Sequence, residues 1–335
     1  MENNLIVTTS PHLKHPTTTR SIMRDVLIAL TPAYIAAIVI HKWYAALIIL
    51  VTVASAVLSE FLFCLITKKK QTVGDLSAAV TGLLLALNIS TKVPLWQCAV
   101  GAVFAIIVVK CLFGGIGCNF ANPAITARIF MLLAFSKTVA NGALGESSWH
   151  WATEGIDAGA TPLIGIKQRF PEFISGIPES SSTQIEEIPT LLDMFLGKHG
   201  GAIGEGCALA LIIGGIYLIV RRVIKWQVPV AFIGTVFVLS LLLSLNFDIA
   251  LYSVLSGGVM LGGIFMVTDY STTPLNTLGK VVFAIGAGVI TVLIRCFGDY
   301  PEGISFGILI MNILSPYIEK ITMRRPFGGM KKNEK

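Results

Sequence analysis

Lys110-Cys111-Leu112-Phe113-Gly114 returns late in the chain as Arg295-Cys296-Phe297-Gly298, 185 residues further on. A second pair follows almost the same rule. Tyr34 precedes Lys42-Trp43, and Tyr217 precedes Lys225-Trp226, at an offset of 183. Two ordered matches at spacings of 183 and 185 point to a duplication. Val80-Thr81-Gly82 and Leu255-Ser256-Gly257 extend it, although the offset drifts there.

The residues between these marks are those of a membrane protein. Of 335 residues, 54% are hydrophobic and 13% are charged, and the mean hydropathy is +0.77. A soluble chain carries about a quarter charged residues, spread along its length. Here they cluster between long apolar runs, the pattern of a polytopic protein. The polar stretch 1–24, with Pro11 and Pro16, is unlike a cleaved signal, so the first apolar run is expected to remain. The net charge of +6 does not indicate nucleic acid, because its clusters flank apolar runs.

Hydropathy and breaker residues predict ten spans. The first five run near Val26–Ile40, Trp43–Ile66, Leu76–Ile89, Leu95–Phe113 and Ala124–Ala140. The second five run near Glu205–Val220, Trp226–Leu245, Ile249–Thr268, Gly279–Ile294 and Gly303–Ile321. The resulting organisation is 1–140, an N-terminal segment and five helices; 141–203, a polar interval; 204–321, five more helices; and 322–335, a basic tail. Arg20, Arg24, Lys68 to Lys70, Lys110, Arg128, Arg221, Arg222, Lys225 and the tail residues Arg324, Arg325, Lys331, Lys332 and Lys335 all fall on one side. Positive charge marks the cytoplasmic side, which puts both termini inside and the acidic interval 141–203 outside. Five spans per copy is an odd number, so the second copy enters the bilayer inverted. The expected fold is an all-α membrane protein of two inverted five-helix repeats, with small-molecule sites at the repeat interface. Inversion also separates Cys111 from Cys296 by a hydrocarbon core of about 30 Å, so they do not share a cluster.

The long outer interval holds Asp157-Ala158-Gly159-Ala160-Thr161-Pro162-Leu163. Gly159 and Ala160 allow close approach to the backbone, Pro162 suits a first helical position, and Thr161 stands where an N-cap would. Local chemistry alone reads this as a helix cap, although a helix start also receives a phosphate. Within or beside the apolar runs lie Asn88, Asn119, Asn122, Asp269 and Asn312. Unpaired polar groups are costly there, so these residues either line an ion path or bond and cap neighbouring helices. Asp269 has a third reading, a solvated carboxylate at a cytoplasmic exit. Trp43 and Trp226 read as interfacial belt residues. The five histidines have no metal-ligand spacing, the six cysteines form no C-x-x-C, and no P-loop or G-x-S-x-G occurs.

Several stretches resemble one family, the RnfD/NqrB membrane subunits. They include Ser10-Pro11-His12, Ile22-Met23-Arg24-Asp25-Val26 running to Thr31-Pro32-Ala33, and Val80 to Asn88. Phe113-Gly114-Gly115-Ile116-Gly117 with Asn119 and Asn122-Pro123-Ala124 continues the likeness. So do Gly204-Glu205, Phe265 to Asp269 and Tyr300-Pro301-Glu302-Gly303. It covers nearly the whole chain, and the short N-terminal region is more similar to RnfD than to its sodium-pumping sibling. The resemblance implies membership of an Rnf complex in the cell (inner) membrane, passing electrons between ferredoxin and NAD while moving Na+ or H+. It implies a flavin mononucleotide (FMN) joined through its phosphate to Thr161, with Gly159 and Ala160 in close approach. Ala158 stands where the family carries a hydroxyl residue. A second, noncovalent flavin such as riboflavin is also implied, and then Asn88, Asn119, Asn122 and Asp269 become candidates for its site or for an ion path. Lys167 and Arg169 are the nearest cations to the FMN phosphate. The implied partners are a second covalent-FMN subunit, iron–sulfur subunits and an NAD-binding subunit. A secondary transporter and a redox-silent scaffold are the alternative classes.

Overall fold

The computed structural model describes residues 17–139, 190–197, 201–298 and 303–323. Among these residues the chain is helical, with no strand. The run Thr19–Ile66 starts at a capping box, in which Thr18 and Ser21 satisfy each other's backbone N–H. Lys42 breaks it, with φ 59° and ψ −159°. It is therefore two helices, α1 (19–41) and α2 (43–66). There follow α3 (Ser77–Leu87), α4 (Leu95–Cys111), α5 (Pro123–Ala134) and the short α6 (Ser136–Val139) and α7 (Leu191–Leu196). The later helices are α8 (Ala208–Val220), α9 (Gln227–Ser244), α10 (Phe247–Leu255), α11 (Val259–Met266), α12 (Thr277–Phe297) and α13 (Ile304–Thr322).

Among the described residues, four runs are long and apolar enough to cross a bilayer: Thr19–Ile66, which Lys42 divides into α1 and α2, Gln227–Ser244, Thr277–Phe297 and Ile304–Thr322. The pair α10 and α11, bent by 66°, makes a fifth if it is one broken span. Helices α3, α4, α5 and α8 are apolar but shorter. The break in the bent pair is Ser256-Gly257-Gly258, with Gly257 and Gly258 at φ of 65° and 71°, a conformation glycine enters without a Cβ clash. The helix α3 begins on a comparable residue, Leu76 at φ 63°.

Small residues set the closest approaches. A Cβ on Gly214 of α8 would stand 2.1 Å from the Ala29 carbonyl of α1. One on Gly307 of α13 would stand 2.8 Å from the Ala287 carbonyl of α12. Large apolar side chains such as Val39, Ile66 and Leu242 face outward, as a lipid-facing surface requires, while Leu30, Ile48, Phe232 and Phe283 fill the core.

Two of the cations used to orient the chain are not surface charges. Lys110 and Arg128 are buried, whereas Arg20, Arg24, Lys68, Lys69, Lys70, Arg222 and Lys225 are exposed. Lys110 Nζ lies 2.7 Å from Glu60 Oε1, deep between α4 and α2. Sequence position next to a glycine-rich turn made Lys110 look like a flank; tertiary packing makes it an internal ion-pair partner.

Candidate functional site

A cavity of about 300 Å³ opens between α1, α3, α8, the 116–123 turn and the 265–271 segment. Val80, Leu84, Leu218 and Phe265 form apolar wall; Asn119, Asn122, Asp269 and Ser271 supply polar groups. Asn122 is held by local structure. Its Oδ1 accepts from the backbone N–H groups of Ala124 and Ile125, capping α5 ahead of Pro123. Its Nδ2 donates to Asp269 Oδ2 at 3.3 Å. Asp269 Oδ1 also accepts from the Ser271 backbone and hydroxyl at 3.0 and 2.9 Å. Loss of hydration beyond the end of α11 pushes the Asp269 carboxyl above the ordinary aspartate range, against the hydrogen bonds from Ser271 and Thr272 and the charge of Lys280. Asn119 Oδ1 and Tyr270 Oη, on residues of the same wall, are buried with no hydrogen-bond partner among the described residues.

Beyond the cavity, about one turn along α3 from Leu84, a second polar cluster begins at Asn88. Asn88 Nδ2 donates to the Leu84 carbonyl, and Asn88 Oδ1 accepts from Arg128 Nη1 at 2.9 Å. Arg128 also reaches Ser305 Oγ of α13 at 3.4 Å. Arg295 of α12 donates to three carbonyls at the end of α10: Ser253 at 2.6 Å, Ser256 at 3.1 Å and Gly257 at 2.9 Å. Glu205 Oε2 accepts from the Ala202 backbone N–H at 3.4 Å, while its buried Oε1 has no hydrogen-bond partner among the described residues. A Cβ on Gly258 would lie 3.1 Å from Glu205 Oε1 and 3.9 Å from Arg128 Nη1, which locates their meeting point at the helix break. Glu205, Arg128 and Arg295 are only 4%, 6% and 7% exposed. Glu205 rides on a buried loop whose Ile203 and Gly204 N–H groups bond the carbonyls of Ile89 and Leu87, beyond and at the end of α3.

The structure thus divides the residues singled out in the sequence. Asn119, Asn122 and Asp269 share the cavity; Asn88 belongs to the arginine cluster. Asn312, buried on α13, has no hydrogen-bond partner among the described residues for either amide atom. Trp43 and Trp226 are exposed, and neither lines the cavity. Asp157, Ala158, Gly159, Ala160, Thr161, Lys167 and Arg169 lie outside the described residues.

Set against known families, residues 6–328 match the NQR2, RnfD, RnfE family. The chain belongs to that family. Among similar NQR2/RnfD/RnfE relatives is the D subunit of the Na+-translocating ferredoxin:NAD+ oxidoreductase complex of Acetobacterium woodii. It is 40% identical over 332 residues, covering 98% of this chain and 97% of the relative. The D subunit of the proton-translocating ferredoxin:NAD+ oxidoreductase complex of Clostridium ljungdahlii is 33% identical over 334 residues, covering 98% and 97%. The D subunit of an ion-translocating oxidoreductase complex of Halorhodospira halophila is 32% identical over 347 residues, covering 95% and 94%.

In this NQR2/RnfD/RnfE chain, sequence reasoning missed Arg128, Arg295 and Glu205 as site residues. The signal was present. Arg128 falls five positions into a predicted apolar run, and a charge there calls for a named partner before it counts as a flank. Arg295 and Glu205 sit at the edges of predicted spans, where flank and core look alike in sequence.

Proposed function

We propose that this chain is the membrane-embedded D subunit of an Rnf-type complex, in which electron transfer between ferredoxin and NAD+ drives Na+ or H+ across the cell membrane. The observation that carries the proposal is end-to-end likeness to the D subunits of such complexes, at up to 40% identity. In the relatives' names the ion is Na+ in one complex and a proton in another.

The finer architecture proposed is ten membrane-crossing segments in two inverted repeats, with both termini inside and 141–203 outside. Three features support it. Ala29 and Gly214, whose backbones meet, are 185 residues apart, within the 183 to 185 offset of the sequence echo. A two-fold axis brings equivalent positions together in this way. Lys110 and Arg295, the echoed cations, both brace the start of a half-helix. Lys110 Nζ bonds Ser77 Oγ at 2.6 Å, where α3 begins after Leu76; Arg295 holds the carbonyls just before Gly258, where α11 begins. The bent α10–α11 pair is the discontinuous helix such repeats use.

FMN is proposed on Thr161, in Ala158-Gly159-Ala160-Thr161. The cavity is the proposed place of a noncovalent flavin. The residues fit a flavin ring: apolar walls suit a flat aromatic system, and Asn119 Oδ1 and Tyr270 Oη are buried groups in want of a partner. When bound, a flavin supplies one- and two-electron redox chemistry. The chain's own residues do the holding. Asn122 is fixed as a helix cap and aims Nδ2 at Asp269, while Val80, Leu84 and Phe265 exclude water from the apolar wall. Ferredoxin, iron–sulfur and NAD+ sites are assigned to partner subunits. The test is ferredoxin-dependent NAD+ reduction by membranes carrying the whole complex, together with in-gel fluorescence of this chain after denaturation. Activity and a fluorescent band are expected in the wild type, and a dark band in Thr161→Ala. A dark wild-type band, with a competent flavin transferase present, would remove the covalent-flavin part of the proposal.

A further inference from the structure

We infer that Arg128 and Arg295 form a fixed electrostatic seal that closes the cavity to cations, so that no Na+ or H+ crosses between the two halves of this chain. The inference rests on the membrane placement proposed above.

Discontinuous helices in membrane proteins coordinate cations through the exposed carbonyls at their broken ends. The chain has such an end at Ser253 to Gly257, and a tethered cation already fills it. Arg295 takes the Ser253, Ser256 and Gly257 carbonyls at 2.6 to 3.1 Å. The facing half-helix, α3, ends at Asn88, and its amide oxygen is taken by Arg128. The carboxylate at this level, Glu205, turns a buried Oε1 with no hydrogen-bond partner among the described residues toward the Gly258 break, near Arg128. A mobile cation at this level would therefore meet two guanidiniums, with the neighbouring carbonyls committed to them. Fixed arginines exclude cations from pores in this manner. The backbone leaves little way around. Gly204 would bring a Cβ within 2.6 Å of the Leu87 Cβ, so the Glu205 loop seats directly on the end of α3.

The test is passive Na+ and H+ flux in proteoliposomes containing the assembled complex, without electron donor, under an imposed membrane potential. Wild type, Arg128→Lys and Arg295→Lys keep the charge and are expected to be tight. Glu205→Gln removes the carboxylate, leaves both guanidiniums, and is expected to be tight too. Arg128→Gln and Arg295→Gln vacate the slots and are expected to raise cation flux about tenfold or more. Ser305→Asp keeps both arginines and adds a carboxylate beside Arg128, now 3.4 Å from the serine oxygen. It is expected to leak as well, which covers the case in which an arginine variant does not assemble. Assembly is judged by co-purification of the partner subunits. The inference is overturned if an assembled Gln or Asp variant is as tight as wild type. It is equally overturned if wild type itself conducts, or if Glu205→Gln leaks like the arginine variants, which would make packing rather than charge the barrier. Ferredoxin-driven ion uptake by the wild-type complex is measured alongside. Its absence would count against the proposed function, whereas the seal stands or falls on the passive fluxes.

Discussion

Removing one member of the Glu60–Lys110 pair should destabilise the protein far more than removing both. Glu60 is 1% and Lys110 3% exposed by side chain, at 2.7 Å. Glu60 Oε1 also accepts from Thr72 Oγ1 at 2.6 Å, and Lys110 Nζ donates to Ser77 Oγ at 2.6 Å. Lys110→Met leaves a carboxylate in the core with one hydroxyl for company; Glu60→Leu leaves an ammonium in the same position. An uncompensated buried charge costs roughly 3–5 kcal/mol, whereas replacing the whole pair by apolar groups of similar volume is often near neutral. The coupling in a double-mutant cycle should therefore be several kcal/mol, at the upper end of what contacting residues show. Scanning fluorimetry of the purified complex reads it. Each single variant should melt several degrees below wild type, and Glu60→Leu with Lys110→Met should recover most of the loss. Additive single effects, or single variants melting with wild type, would refute the internal ion pair and return Lys110 to the surface role its sequence position suggests.

Gly214→Ala would force a Cβ against the Ala29 carbonyl and should lower stability by about 1–3 kcal/mol, as overpacking does. Gly234→Ala, with nothing within 4 Å of the new atom, should be neutral or stabilising by roughly 0.5–1 kcal/mol in the same melts. Asn119→Ala should release noncovalent flavin from the purified complex and lower its melting temperature only to that of flavin-stripped wild type. Asn122→Ala should release flavin and melt lower still, since losing the cap costs about 1 kcal/mol. Asp269 holds its proton more tightly folded than unfolded, so its burial costs nothing below the ordinary aspartate range. The cost grows as pH rises toward the raised folded value and then levels off. Asp269→Asn should remove that slope from a pH series of melting temperatures.

Much of the fold was legible because apolar length and breaker residues act locally. The Lys42 break falls between the first two predicted spans, and Asn122-Pro123 starts α5 as a cap followed by proline should. The break at Gly257-Gly258 was visible only as a drifting repeat offset. A left-handed pair inside an apolar run bends the helix without altering its hydropathy. The cavity residues Asn119, Asn122 and Asp269 could be picked out because amides and carboxylates are conspicuous in apolar surroundings. That they converge, and that Asn88 does not join them, depends on α3, α5 and the 269–271 segment meeting in space. The arginine cluster was hidden for another reason. A cation near the end of an apolar run is used equally well as a flank, through water, or as a core ligand of backbone carbonyls. Only the carbonyls bonded by Arg295 tell the two apart.

That this chain carries a redox flavin is the central claim, and mass spectrometry of the peptide containing Thr161 tests it most directly. With a competent flavin transferase present, the claim predicts a peptide heavier by one FMN phosphoester, fragmenting with the flavin on Thr161, and an unmodified peptide in Thr161→Ala. An unmodified Thr161 peptide from active, fully assembled wild-type complex would contradict it.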